Sequence, residues 1–240
     1  MPAPGTRIRT ITIMDDAALY RLMAWLSPSY PVGAFSHSHG LEWAVEADEV
    51  SDAAALESWV EDVLRHGGGR QDAILFTQAH RAAAAGLSAE LEEIAELAAA
   101  LNPSKERRIE TLSQGRAFLI ATRAAWPAEF DPLGEPGSDE TAYPYPVAVA
   151  VAAAAHGLPL RPALLAYLHA FAANIVSAGV RLVPLGQTDG QRLIAGLEQA
   201  VTEAASAAEL ATLDDLGGCA LLADIASMRH ETQYTRLFRT

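Results

Sequence analysis

The sequence predicts an all-α protein, a single globular multi-helix domain of about nine or ten helices. Apolar residues recur at helical spacing along most of the chain. Alanine, the strongest helix former, is abundant throughout. β-Branched alternation is confined to the stretch from Thr6 to Thr12, so nothing reads as a sheet. With 50% hydrophobic residues, the chain can build a core without metal or disulfide staples.

The elements follow in order. Leu19, Leu22, Met23 and Leu26 fall at i, i+3, i+4 and i+7, the apolar face of a first helix. Leu41, Trp43 and Val45 belong to a second, which Ser36 or Ser38 can cap. Ser51 or Asp52 caps a third, with Leu56, Trp59, Val60, Val63 and Leu64 inward. Leu87, Leu91, Ile94, Ala98 and Leu101 make the next stripe, with Glu92, Glu93 and Glu96 turned away, and Asn102-Pro103 stops it. Ser104 caps a helix running to about Ala125, before Trp126-Pro127. A polar, proline- and glycine-rich loop is expected over 127–146. Two small-residue helices follow, near Val147–His156 and Arg161–Val180. Thr188-x-x-Gln191 matches a capping box ahead of Leu193, Ile194, Leu197 and Val201, and Ser206-x-x-Glu209 matches a second. Leu221, Leu222, Ile225 and Met228 mark the last amphipathic stretch. Residues 1–14 are expected to be loosely attached, 15–229 to form the domain, and 230–240 to form a tail.

Composition excludes several classes. A net charge of −13 opposes binding to nucleic acid, whose phosphates demand a basic face. It also repels anionic membrane surfaces. Ala163–Val180 is uncharged over about the minimum length of a spanning helix. It is nevertheless rich in alanine and carries His169, Asn174 and Ser177, so a buried central helix is expected. The single cysteine, Cys219, excludes an internal disulfide and a Cys-rich zinc site. No basic-then-apolar leader stands at the start, and a cytoplasmic location is expected. Gly67-Gly68-Gly69 lacks the lysine of a phosphate-binding loop, and H-E-x-x-H, G-x-S-x-G and G-x-G-x-x-G are missing.

Three stretches stand out. Ser27 to Glu42 holds two prolines and two glycines that fix a bend, followed by His37-x-His39 and Glu42. Imidazoles and a carboxylate suit nickel or zinc, so His37 and His39 are candidate ligands, although the same groups can satisfy the backbone of a tight turn. Val180 to Thr188 ends a very apolar helix on Arg181, which either satisfies helix-end carbonyls or faces a partner. His230 to Thr240 interleaves Tyr234, Leu237 and Phe238 with Arg236 and Arg239, residue types typical of binding hot spots. This tail either packs on its own domain or docks into another protein.

In this order and at these places, the three stretches resemble the UreF family of urease accessory proteins. Pro31-Val32-Gly33-Ala34-Phe35-Ser36 to Glu42 is similar to the family's N-terminal signature, and Arg181 to Gln187 to its central motif, which Gly190-Gln191 continues. Met228 to Arg239 is similar to its C-terminal tail. Position 37 departs from the pattern, being His where the family commonly has an aromatic residue. Thr141 to Val147 departs as well, reading Thr-Ala-Tyr-Pro-Tyr-Pro where the family has an H-Y-P motif.

The resemblance implies an all-α, dimeric, non-catalytic chaperone that binds UreD (also called UreH) and recruits the GTPase UreG. The complex would deliver nickel to apo-urease, with this chain regulating GTP hydrolysis and holding no stable cofactor of its own. The resemblance places His230, Glu231, Tyr234, Arg236, Leu237, Phe238 and Arg239 in the region that docks onto UreD. It places Glu42, Arg181 and Gln187 on a surface for GTPase recognition or coupling. The alternative is a small all-α metal-binding enzyme using His37, His39 and Glu42.

Overall fold

A computed structural model describes residues 14–128, 133 and 143–240. The expected loose segment 1–14, apart from Met14, lies outside the described residues, as does most of the expected 127–146 loop. The described residues form eleven α-helices and no strand. These are α1 Asp16–Trp25, α2 Leu41–Glu46, α3 Ala53–His66, α4 Gly68–Ala85, α5 Ser88–Ala100 and α6 Lys105–Ala125. After the loop come α7 Tyr145–Ala155, α8 Leu160–Leu182, α9 Gln187–Gly196, α10 Glu198–Leu210 and α11 Leu221–His230.

Local chemistry sets most boundaries. Asp52 accepts from the Ala55 N–H at 2.8 Å and starts α3, while Ser104 accepts from the Arg107 N–H at 3.2 Å and starts α6. The Asn102 amide caps the last carbonyls of α5, Ala98 and Ala99. α9 begins at Gln187 rather than after Thr188, because the Asp189 carboxylate accepts from the Gly186 N–H at 3.1 Å. Ser206 caps nothing: α10 runs through it, and its hydroxyl donates back to the Thr202 carbonyl at 2.8 Å. α7 begins inside the expected loop, at Tyr145, since Pro146 in the first turn loses no helical hydrogen bond.

None of the expected stripes covers α4, yet it lies at the centre, packed against α3, α5, α7, α8 and α10. Its residues Ala73 to Thr77, Ala79, His80, Ala82 and Ala83 are buried, and its narrow polar strip is itself taken up, with Arg70, Gln78 and Arg81 donating to the carbonyls of Asp215, Ala211 and Glu209. α8 is the one described helix long and apolar enough to cross a membrane. It is largely buried, packed on α2, α3, α4, α7, α9 and α10. Gly179 lets α8 close on α3, since a Cβ there would lie 2.3 Å from Leu56 Cδ2.

Two apolar faces differ from the expected ones. α1 buries Ala18, Leu22 and Trp25 and leaves Leu19 and Met23 outside. Trp25 draws it inward, meeting Phe118, Trp126 and His156 edge-on at ring separations of 5.9, 6.0 and 5.2 Å. α11 turns Ala226, Ser227 and His230 inward and leaves Leu221, Leu222, Ile225 and Met228 exposed.

Candidate functional site

The proline-glycine turn is built from backbone that few residues tolerate. Gly33, His39 and Gly40 have φ of 77°, 58° and 78°, in the left-handed region. At Gly40 the requirement is also steric, because a Cβ would lie 2.6 Å from the Ser227 nitrogen of α11. The turn is thereby pressed against α11 and delivers Glu42 into the first turn of α2, buried.

Glu42 meets the tail. One carboxylate oxygen accepts from the Leu237 N–H at 2.5 Å, the other from the Phe238 N–H at 2.9 Å and from His230 Nε2 at 3.1 Å. His230 is fully buried, and its Nδ1 lies 2.7 Å from Glu106, which also accepts from Arg236 at 2.5 Å. Hydrogen bonds to a charged group are worth about 1.5–3 kcal/mol each, so Glu42 is a strong tie between α2 and the tail.

A second carboxylate, Glu110 on α6, sits behind the first. Arg107 donates to it, as do Gln114 at 3.1 Å and the Thr240 hydroxyl at 2.7 Å, and His39 Nε2 lies 3.0 Å away. His37 Nδ1 pairs with the Thr240 hydroxyl at 3.0 Å. Burial would raise the Glu110 carboxyl, but Arg107 and the two histidines outweigh it and hold it well below the usual carboxylate range. Burial holds His37 and His39 below the usual imidazole value.

Arg181, near the end of α8, closes the third side. Its Nε donates to the Ser177 carbonyl at 3.1 Å and its Nη1 to the Phe35 carbonyl at 2.8 Å. The guanidinium lies 3.7 Å from the Phe35 ring and 4.4 Å from the Phe238 ring. It therefore satisfies a helix-end carbonyl and also joins the turn to the tail.

The three stretches singled out in the sequence converge on one surface. Glu42, Arg181, His230, Arg236 and Phe238 are in it, with Leu237 and Arg239 tied by their main chains. Glu231 sits beside it, accepting from the Lys105 N–H at 2.7 Å at the start of α6. Tyr234 is fully exposed. Gln187 stands apart, exposed at the first position of α9. His37 and His39 turn toward Glu110, where Arg107 is already bound, while Glu42 is taken up by the tail. Among the described residues no group of three or more His, Cys, Asp or Glu is placed to hold a metal ion.

Sequence reasoning missed Glu106, Arg107 and Glu110. The available signal was polar residues on the inward face of α6, where Glu110, Thr111 and Gln114 precede Phe118. It also missed Asp72, which lines a cavity of about 160 Å³ between the turn, α6 and α8. Asp72 accepts from the Tyr167 hydroxyl at 2.7 Å, and burial pushes its carboxyl up to about 6.

The UreF family model matches residues 50–198 of the chain. The chain is similar to the urease accessory protein UreF of Rhodopseudomonas palustris strain HaA2, 56% identical over 238 residues, covering 99% of this chain and 100% of the relative. It is 56% identical over 227 residues to that of Bradyrhizobium diazoefficiens, covering 94% and 93%. With the protein of the same name from Bradyrhizobium sp. strain BTAi1 it shares 52% over 235 residues, covering 96% and 95%.

Proposed function

Because this chain belongs to the UreF family of urease accessory proteins, we propose that its part in urease maturation is non-catalytic and played through partners. In this reading it binds UreD (also called UreH), recruits the GTPase UreG, and regulates GTP hydrolysis while the complex delivers nickel to apo-urease. Nickel is the cargo of the assembly, and the chain works as a cytoplasmic homodimer.

The observation that carries this reading is the convergence of the turn, Arg181 and the tail on one surface, beside an outward apolar face. Leu221, Leu222, Ile225 and Met228 of α11 are exposed, and Tyr234 and Leu237 continue outward in the tail just beyond. Large apolar and aromatic side chains standing together in solvent mark protein-docking surfaces. Tail residues that make no inward contact are free to anchor a partner, while Glu42, Phe238 and Thr240 hold the tail in place. The metalloenzyme reading has no such observation behind it.

The test is co-purification with UreD and UreG, with GTP turnover and nickel content measured on the product. Tyr234→Ala combined with Leu237→Asp should weaken capture of UreD at least tenfold with helicity unchanged, since neither side chain is buried. Full-affinity capture by this folded variant would sink the assignment of the tail to UreD docking.

A further inference from the structure

The cavity of about 160 Å³ beside the turn has a chemistry of its own. Tyr145 of α7 and Tyr167 and Phe171 of α8 bring aromatic rings to its lining, the two tyrosines with centroids 5.6 Å apart. Asp72 of α4 brings a carboxylate. The cavity reaches the surface at Phe35 and His169, which line it and are exposed.

Several polar atoms of this lining are unspent. Asp72 accepts from the Tyr167 hydroxyl through Oδ2, and its Oδ1 has no partner among the described residues. The Tyr145 hydroxyl has none either. Gln114 gives its side-chain nitrogen to Glu110 and leaves its oxygen unbonded. The charges are unbalanced as well. Arg107 is bonded to Glu110, so those two offset each other, and Asp72 has no ion pair among the described residues. The chain's single lysine, Lys105, is exposed at the start of α6. A carboxylate drawn away from water calls for a cation, and aromatic faces attract one. A metal ion needs more ligating groups than one carboxylate supplies.

We propose that this cavity binds a small monovalent organic cation of the guanidinium or alkylammonium class, held by Asp72 among the rings of Tyr145, Tyr167 and Phe171. Its N–H groups bond the Asp72 carboxylate, the Tyr145 hydroxyl and the Gln114 oxygen. An engineered cavity of about 150 Å³ takes benzene, so this space admits such a molecule whole.

Ionisation of Asp72 sets the pH dependence. Burial pushes its carboxyl up to about 6, so the cation keeps its partner above that value and loses it below. The other charged or titratable groups around it are Tyr167 and His169 of α8, Tyr145 of α7, Arg107 and Glu110 of α6, His39 of the turn and Asp224 of α11. Glu110 is held well below the usual carboxylate range and both tyrosines are raised, so none of these three titrates between pH 5 and 8. Any proton taken up by a histidine or by Asp224 toward pH 5 weakens the cation's hold further.

The experiment uses the full chain with methylguanidinium as the probe, at an ionic strength held constant with sodium chloride. Saturation-transfer NMR on the probe's methyl group should show saturable binding at pH 8. At pH 5 binding should be about tenfold weaker, since a carboxyl titrating near 6 is then about nine-tenths protonated. Asp72→Asn keeps the acceptor for Tyr167 and should weaken binding at pH 8 at least tenfold, with the helical circular dichroism unchanged. In the unsubstituted chain the methyl group should show nuclear Overhauser contacts to the rings of Tyr145, Tyr167 or Phe171, a readout that does not depend on how the variant folds. Equal binding by folded Asp72→Asn overturns the proposal, as do methyl contacts confined to other residues. Absence of saturable binding up to about 20 mM probe overturns it too. Displacement by sodium chloride as effective as by methylammonium overturns the organic-cation class.

Discussion

At Glu110 side chains from the turn, α6 and the tail meet on one carboxylate, while Asp72 a short way off has a single phenol for company. The two carboxyls respond to pH with opposite sign. Glu110, held below its ordinary value, stabilises the fold above that value, and the contribution is lost as pH falls. Asp72 is raised from 3.8 to about 6, so its contribution is complete below 3.8 and is lost as pH rises through about 6. Asp72→Asn keeps an acceptor for Tyr167 and removes the buried charge. It should therefore raise unfolding stability at pH 8 by on the order of 2 kcal/mol, with the gain shrinking toward pH 5. Urea titrations at pH 5, 6.5 and 8 read this directly, and a pH-independent difference would contradict it. In the sequence Glu42 was visible because it stands in a motif, whereas Glu110 and Asp72 were not. Their meaning comes from partners far along the chain, Thr240 for one and Tyr167 for the other, and no local spacing records that.

At the scale of elements, the reading from periodicity found the flanking helices and passed over the central one. α3 buries Leu56, Trp59, Val60, Val63 and Leu64 as its pattern predicts. α4 escapes because Gly68 and Gly69, which look like a loop, are its first residues, and because most of its other residues are alanine or apolar and buried against five helices. Gly69 is helical where α4 leaves α3, its Cβ position only 2.9 Å from Leu64 Cα. The stripe of α11 marks a helix but not its inward face, because Ser227 and His230 turn toward Ser104, Glu42 and Glu106 and leave the large apolar residues outside. Junctions between elements can be tested through glycine. A Cβ on Gly115 of α6 would lie 1.9 Å from the Tyr143 carbonyl oxygen, just before α7. Gly115→Ala should cost about 2–3 kcal/mol despite the better helix propensity of alanine, seen as a lower urea midpoint at constant slope. Gly68→Ala, with nothing nearer than the Arg107 guanidinium at 4.0 Å, should stay within about 0.5 kcal/mol of the parent.

For the whole molecule, acid is the expected weakness. Burial holds His37, His39, His80 and His156 below their ordinary value, so each is neutral in the fold at a pH where the unfolded chain would protonate it. Stability should fall as pH drops below 6.5, by up to about 1 kcal/mol per histidine at pH 5.5, with the less buried His156 contributing least. Asp72 opposes this only in part. Tm should drop by roughly 5 °C or more between pH 7.5 and 5.5, and a flat profile would mean that these imidazoles take up protons in place. The contact between Ser38 and Thr240 has a consequence of another kind, because it joins residues 202 positions apart. On a ribosome adding roughly 5–20 residues per second, the turn emerges on the order of ten to forty seconds before the segment that completes it. Through that interval Ser38, His37 and Glu42 lack their tail partners. The early turn must wait open until residues some two hundred positions later arrive to close it.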